Sequence, residues 1–338
     1  MKTELLSTSE ADIEKAGRIL ADGGLVGMPT ETVYGLAANA LNGAAVADIF
    51  KAKGRPMDNP LIVHIQDIDE WTPLVSSLPQ EALDLAEAYW PGPLTIILPR
   101  SDLIPHEVSA GLPTVAVRMP SHLVARAIIR SAGVPLAAPS ANTSGKPSPT
   151  TAAHVMHDME GKIAAVVDGG PCGVGVESTV ITLAEDKPKL LRPGRITPAM
   201  LEAVLGPIEI HHAVLGQLEQ GEEAASPGMK YKHYSPNANV AVVTGSIEKF
   251  AEFVNSKDPN TTAALVFDGE EKYLNCTTLP FGKMNDELAH ASTLFADLRK
   301  CDDLGFKEVY VRCPSSEGVG LAVMNRLLRA AAYEVIDL

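Results

Sequence analysis

From Leu25 to Leu183 short apolar runs alternate with segments of helical period, and such a chain can bury both only as layers of an α/β or α+β domain. Strand-like runs lie at 25–28, 61–65, 94–98, 114–118, 134–138, 163–167 and 178–183. Helical patterns occupy 11–20, 44–53, 81–89 and 122–131, and one more at 198–205 ends this domain near Glu209. After residue 238 a second, smaller alternation begins, with strands at 240–243, 263–267 and 308–311 and helices at 247–254, 288–300 and 319–332. The domains expected are therefore 1–210 and 239–338. Residues 211–238 between them are rich in Gly, Pro and charge but have little periodicity, and they read as a linker. That linker carries Met229, Tyr231, His233 and Tyr234, which a mere flexible spacer would avoid.

A hydrophobic fraction of 46% with 21% charged residues supports two packed cores rather than disorder. The net charge is −14, and neither half is basic: 16 basic residues face 24 acidic ones in 1–210, and 12 face 18 beyond. Long-range attraction to nucleic acid or an anionic membrane is therefore not expected. The four cysteines show no CxxC pair or zinc-site spacing and read as reduced thiols. With no long apolar stretch or signal-like N-terminus, the expectation is a cytoplasmic protein that uses no membrane.

Polar and glycine-bearing segments cluster beside the strands of the first domain. Lys51, Lys53 and Arg55 end a helix at a Gly-Pro turn, where cations and turn N–H groups can converge on a polyphosphate. A solvated basic helix end explains the same residues. Ser140-Ala141-Asn142-Thr143-Ser144-Gly145-Lys146-Pro147-Ser148 follows an apolar run, but it lacks the first Gly and the final Ser or Thr of a Walker loop. Gly173-Val174-Gly175-Val176-Glu177-Ser178 imitates a dinucleotide fingerprint yet lacks the third Gly and runs into a strand. No Ser stands in a G-x-S-x-G elbow and no H-E-x-x-H is present, which excludes the usual covalent and zinc hydrolases. His64 lies inside an apolar run, the ordinary setting of a satisfied core histidine. Arg118 ends a buried strand, where a cation needs an anionic partner and could bind a carboxylate. Arg192 and Arg195 flank the Pro193-Gly194 turn, as a ligand site or as surface ion pairs.

Five segments in this order and spacing resemble the YrdC-type family: Pro29-Thr30-Glu31-Thr32-Val33-Tyr34-Gly35-Leu36, Lys51-x-Lys53-x-Arg55-Pro56, Asn59-Pro60-Leu61, Ser140-Ala141-Asn142-x-Ser144-Gly145 and Ser178-Thr179-Val180. The resemblance covers about residues 10–210, and Ser226-Pro227-Gly228-Met229-Lys230-Tyr231-Lys232-His233-Tyr234-Ser235-Pro236 resembles the linker of the long, two-domain members. It implies an α/β (α+β) YrdC-like twisted-sheet catalytic domain plus a smaller C-terminal Rossmann-like α/β domain. The activity implied is that of an L-threonylcarbamoyladenylate synthase, a nucleotidyltransferase joining L-threonine, bicarbonate or CO2, and ATP, with release of pyrophosphate. Its product would feed a separate tRNA threonylcarbamoyl transferase system, without stable tRNA binding to this chain.

Carried over by motif, Thr32, His64, Arg118, Ala138 and Ser178 would surround threonine. ATP would meet Lys51, Lys53, Arg55, Asn59, Thr114, Ser140, Asn142, Ser148, Arg192 and Arg195, with Tyr234 reaching it from the linker. Mg²⁺ would come with ATP, no protein metal site is implied, and no residue acts as a covalent catalyst. The linker would reach over the active site and shield the adenylate. A non-catalytic RNA- or nucleotide-binding module is the main competing reading, but it assigns no task to Thr32, His64, Arg118 and Ser178. A carbamoyltransferase of the kind that carries a YrdC-type domain would need acylphosphatase-like and zinc-finger segments, which this sequence does not show. In the C-terminal domain Gly318-Val319-Gly320-Leu321 reads as a tight turn into a helix, with anion binding there as the alternative.

Overall fold

The computed structural model describes residues 2–218 and 234–338. Two compact units share the chain: Met1–Ser144 with Ser148–Lys230, and Gly145–Pro147 with Tyr231–Leu338. Most of the 211–238 segment, and with it the expected reach of a linker over the active site, lies outside the described residues.

The strands of the first unit are β1 (Glu4–Leu6), β2 (Val26–Met28), β3 (Gly35–Asn39), β4 (Ile62–His64), β5 (Leu94–Pro99), β6 (Thr114–Arg118), β7 (Leu136–Ala137), β8 (Ala165–Val167), β9 (Thr179–Thr182), β10 (Lys189–Arg192) and β11 (Glu209–Ile210). They form one mixed sheet in the order β1-β8-β2-β3-β7-β4-β6-β5-β9-β10-β11. Its helices are α1 (Glu10–Ala21), α2 (Gly43–Lys53), α3 (Gln80–Tyr89), α4 (His106–Ser109), α5 (Leu123–Ala132), α6 (Ala152–Met159) and α7 (Pro198–Leu205). Side chains alternate across a strand, so β3 sends Leu36 and Ala38 to one face and Ala37 to the other. The first face is covered by α2 and α3 through Ile49, Phe50 and Leu85, and the second by α1 and α5 through Leu20, Ile128 and Ile129. Both faces are thus buried, which explains why the strands read as continuous apolar runs.

Local signals end the helices where the site requires it. The Asn42 side chain accepts from Ala44 N and Ala45 N to start α2. Gly54 ends it in the left-handed region at φ 62°, which turns the chain sharply after Lys53.

The second unit holds β12 (Asn239–Val243), α8 (Ile247–Asn255), β13 (Thr262–Val266), β14 (Thr277–Pro280), α9 (Glu287–Asp303), β15 (Glu308–Arg312), α10 (Gly320–Ala330) and β16 (Val335–Ile336). Its strands are all parallel in the order β14-β13-β15-β12-β16, with helices as crossovers. Val243, Phe250, Val254 and Val266 pack in its core. Arg312, at the end of β15, is buried against Glu270 with Nε 3.0 Å from Oε2. All four cysteines are free, and among the described residues no helix is long and apolar enough to cross a membrane.

Candidate active site

β4 and β6 are parallel neighbours, and their register places His64 directly opposite Arg118 at the strand ends. Facing them is the loop between β2 and β3. There Thr30 Oγ1 donates to Val33 O at 2.6 Å and lies 2.9 Å from Thr32 Oγ1. The loop is held from outside by Val174 N donating to Glu31 O (2.8 Å) and Gly175 N to Thr32 O (3.1 Å). The near-fingerprint around Gly173 and Gly175 is therefore a backbone clamp on the Pro29–Tyr34 loop.

Arg118 is 3% exposed, and three of its nitrogens have partners. Nε donates to Gly92 O at 3.2 Å, Nη1 to Thr32 Oγ1 at 2.9 Å, and Nη2 stands 2.6 Å from Glu31 Oε1. Burial is the largest single influence on the Glu31 carboxyl and acts upward, but the charge and hydrogen bonding of Arg118 and the backbone N–H groups of Glu31 and Ser121 together hold the group below the usual range. Thr32, His64, Arg118 and Ala138 converge here, with Ala138 N donating to Ile62 O of the β4 strand.

His64 Nδ1 donates to the Ile62 carbonyl at 3.2 Å, which leaves Nε2 as an acceptor. Burial, reinforced by the charge of Arg118, pushes its pKa down to about 3, so the ring is neutral at physiological pH. An unfolded histidine titrates near 6.5, so below that pH the unfolded state binds a proton that the folded state refuses. Stability contributed by this site is complete above pH 6.5 and is lost as pH falls towards 3. Urea unfolding is expected to show a loss of about 1.5 kcal/mol between pH 6.5 and 5 from this residue. His64→Gln should remove that share of the slope, and an unchanged slope would disprove the neutral, buried ring.

Ser178, at the start of β9, shares a hydrogen bond with Thr95 Oγ1 (2.8 Å) and accepts one from Arg192 Nη2 (3.0 Å). Arg192 Nε also reaches Ser178 O at 3.0 Å, so β10 and β9 lock the two residues together. A Cβ on Gly194 would stand 2.4 Å from Thr179 N, so only glycine lets the Arg192–Arg195 turn lie this close to β9. Thr114 opens β6 while Arg118 ends it, about 13 Å apart at 3.3 Å per residue.

Lys53 is 3% exposed and turns inward: its Nζ donates to the carbonyls of Ser140 and Asn142, the latter at 2.6 Å. Ser140 Oγ donates to Asn142 Oδ1 at 2.6 Å, so one ammonium and one hydroxyl fix the loop after β7. Lys51, by contrast, is exposed and paired with Asp48 at 2.7 Å. Arg55 Nη2 donates to Asn59 O at 3.2 Å and its guanidinium lies 5.6 Å from the Phe50 ring. Ser148 is fully buried and donates to Glu177 Oε1. Arg195 is exposed. Tyr234 belongs to the second unit, where its buried ring lies 5.1 Å from Phe295 and 6.0 Å from the Arg326 guanidinium.

Sequence reasoning gave no role to Glu31, Thr95 and Glu177. A signal for Glu31 existed, because a buried Arg118 demands an anion and Glu31 stands in the same motif as Thr32. Among the described residues no group of three or more His, Cys, Asp or Glu could hold a metal ion.

The fold and site define an α/β enzyme domain with a buried arginine–carboxylate pair at a strand end, followed in the chain by a separate parallel α/β unit. The profile of the family described as Telomere recombination matches residues 18–194, and that of the Threonylcarbamoyl-AMP synthase C-terminal domain matches 196–332. Threonylcarbamoyl-AMP synthase of Bacillus subtilis (strain 168) is 47% identical over 338 residues, covering 99% of this chain and 97% of the relative. The protein of the same name from Pyrococcus abyssi is 45% identical, covering 97% and 96%. The crystal structure of P. abyssi Sua5 complexed with L-threonine superposes with a TM-score of 0.92 at 43% identity, covering 99% of this chain and all of that one. The chain belongs to the threonylcarbamoyl-AMP synthase family.

Proposed function

We propose that the chain condenses L-threonine, bicarbonate or CO2, and ATP into threonylcarbamoyl-adenylate and pyrophosphate, supplying a transferase that modifies tRNA. The observation that carries this reading is Arg118, a buried guanidinium flanked by Thr32 and the neutral His64, at a strand end in a chain related to threonylcarbamoyl-AMP synthases throughout its length. Residues 1–210 would be the catalytic domain and 239–338 the C-terminal domain.

In this reading Arg118 takes the carboxylate of threonine through its planar fork, and Thr32, His64, Ala138 and Ser178 complete the pocket. His64, being neutral, can accept a hydrogen bond at Nε2 without adding charge. Arg192 stands beside Ser178 and would link the amino-acid site to the nucleotide. Lys53 would act by shaping the Ser140–Asn142 loop, whose hydroxyls and N–H groups meet the nucleotide. Lys51, Arg55, Asn59, Thr114, Ser148 and Arg195 are the remaining proposed ATP contacts. Mg²⁺, brought by ATP, would offset phosphate charge. Two anions, a carbamate and a triphosphate, must be brought together, so orientation and fixed positive charge supply most of the acceleration.

Pyrophosphate release from ATP, Mg²⁺ and bicarbonate tests this directly. Release is expected to require both L-threonine and bicarbonate, and L-serine should support it poorly. Absence of threonine-dependent release from folded protein would overturn the reading.

A further inference from the structure

The ion pair at the end of β6 has more capacity than it uses. A guanidinium offers five N–H donors, and Arg118 commits Nε to Gly92 O, one Nη1 hydrogen to Thr32 Oγ1, and Nη2 to Glu31. Enough donors remain on Nη1 and Nη2 for a carboxylate to approach without expelling Glu31. Glu31 is also unsaturated: its side chain is 14% exposed, and neither Oε1, which meets Arg118 Nη2 as an ion pair, nor Oε2 has a well-formed hydrogen bond among the described residues, although the backbone N–H groups of Glu31 and Ser121 help to hold the carboxyl below its usual range. A buried carboxylate oxygen without a donor is costly unless something supplies one.

We propose that Glu31 receives the α-ammonium of the amino acid, so that the Glu31–Arg118 pair recognises a zwitterion and rejects acids that lack the amine. The inference rests on the reading above, in which Arg118 holds the substrate carboxylate. Charge balance gives the selectivity. Glu31 and Arg118 together are neutral, and a zwitterion inserted against them sets carboxylate on guanidinium and ammonium on carboxylate, with no net charge added to a buried site. A 2-hydroxy acid brings only its negative charge and leaves two carboxylates sharing one cation. Two rings feel the Glu31 charge, and neither supplies a compensating cation at neutral pH, since burial pushes the pKa of His64 down to about 3 and lowers that of His122. The pair therefore rejects the wrong ligand by repulsion as well as attracting the right one.

The test is titration calorimetry on the full chain without ATP, comparing L-threonine with (2S,3R)-2,3-dihydroxybutanoate, which keeps the carboxylate and β-hydroxyl but replaces the ammonium with hydroxyl. Wild-type protein is expected to prefer threonine by about 10- to 100-fold, the range of a hydrogen bond between charged groups. In Glu31→Gln threonine binding should weaken by a similar factor while dihydroxybutanoate binds as well as before or better, since Arg118 loses its competing anion. Glu31→Asp should keep the preference for the amine. Wild-type protein that binds the two ligands equally overturns the proposal without recourse to any variant. So does a Glu31→Gln protein that keeps the wild-type preference, or one that loses both ligands equally, as a merely displaced Arg118 would. A chain that releases pyrophosphate with threonine yet fails this comparison retains its proposed function and loses only the assignment of Glu31.

Discussion

Arg118→Ala is expected to lower kcat/KM for L-threonine by about 10²- to 10³-fold, the scale of removing one partner from a buried, hydrogen-bonded charge pair. The loss should fall on threonine, with the KM for ATP nearly unchanged, because Arg118 stands with Thr32 and His64, while Thr114, the proposed nucleotide contact on the same strand, lies at its opposite end, about 13 Å away at 3.3 Å per residue. Two effects combine. The substrate carboxylate loses its fork, and Glu31 is left buried without its cation, free to regain the elevated proton affinity that burial alone would give it. Arg118→Lys keeps the charge but not the planar pair of donors, so an intermediate rate is expected. Steady-state pyrophosphate release with each substrate varied in turn measures this. A variant that loses ATP and threonine affinity to the same extent would show that Arg118 supports the whole site rather than the amino acid.

The element pattern was legible where burial was strongest. The runs at 61–65, 94–98 and 114–118 are strands β4, β5 and β6, and α1, α2, α3 and α5 fall where the 3.6-residue period places them. What the period does not encode is adjacency. Nothing in the order of the chain says that β4 lies beside β6, yet that neighbourhood alone sets His64 against Arg118. β3 escaped notice because Gly-Leu-Ala-Ala-Asn has no β-branched residue, and its pairing partners, β2 and β7, supply what its own propensity does not. β1, β10, β11, β14 and β16 are also absent from the sequence reading: each is two to four residues with no measurable alternation, whereas β2, β4, β7 and β8, equally short, lie inside longer apolar runs.

Side-chain direction was hidden as well. Lys51 and Lys53 look alike in sequence, but two positions along a helix turn a residue by about 200°, so the first meets solvent and the second a cage of carbonyls. Arg192 and Arg195 diverge likewise, one buried on Ser178 and the other exposed, because the Gly194 turn separates them. The demand of Arg118 for an anion was readable, whereas the identity of that anion as Glu31 required the loop to be seen folded back on the strand end.

Glu270→Ala in the C-terminal unit is expected to destabilise that unit by about 3–5 kcal/mol, among the largest losses a single substitution here can cause. Glu270 and Arg312 are each 7% exposed, and both oxygens of the carboxylate face the guanidinium, with Nε at 3.0 Å and Nη2 at 3.1 Å. Arg312 also donates to Gly245 O at 2.8 Å and lies 5.4 Å from the Phe250 ring and 5.7 Å from that of Phe267. Removing Glu270 would strand the cation among aromatic rings with one carbonyl, a partial compensation that cannot replace a bidentate carboxylate. The pair need not itself be a large net stabiliser, since both ions gave up their hydration to enter the core. Replacing both at once, as Glu270→Leu with Arg312→Met, should therefore cost far less than Glu270→Ala alone. Urea unfolding of the two variants beside the native chain separates these terms. If the double substitution proved as damaging as the single one, the pair would be contributing stability in its own right, beyond mutual compensation of two buried charges.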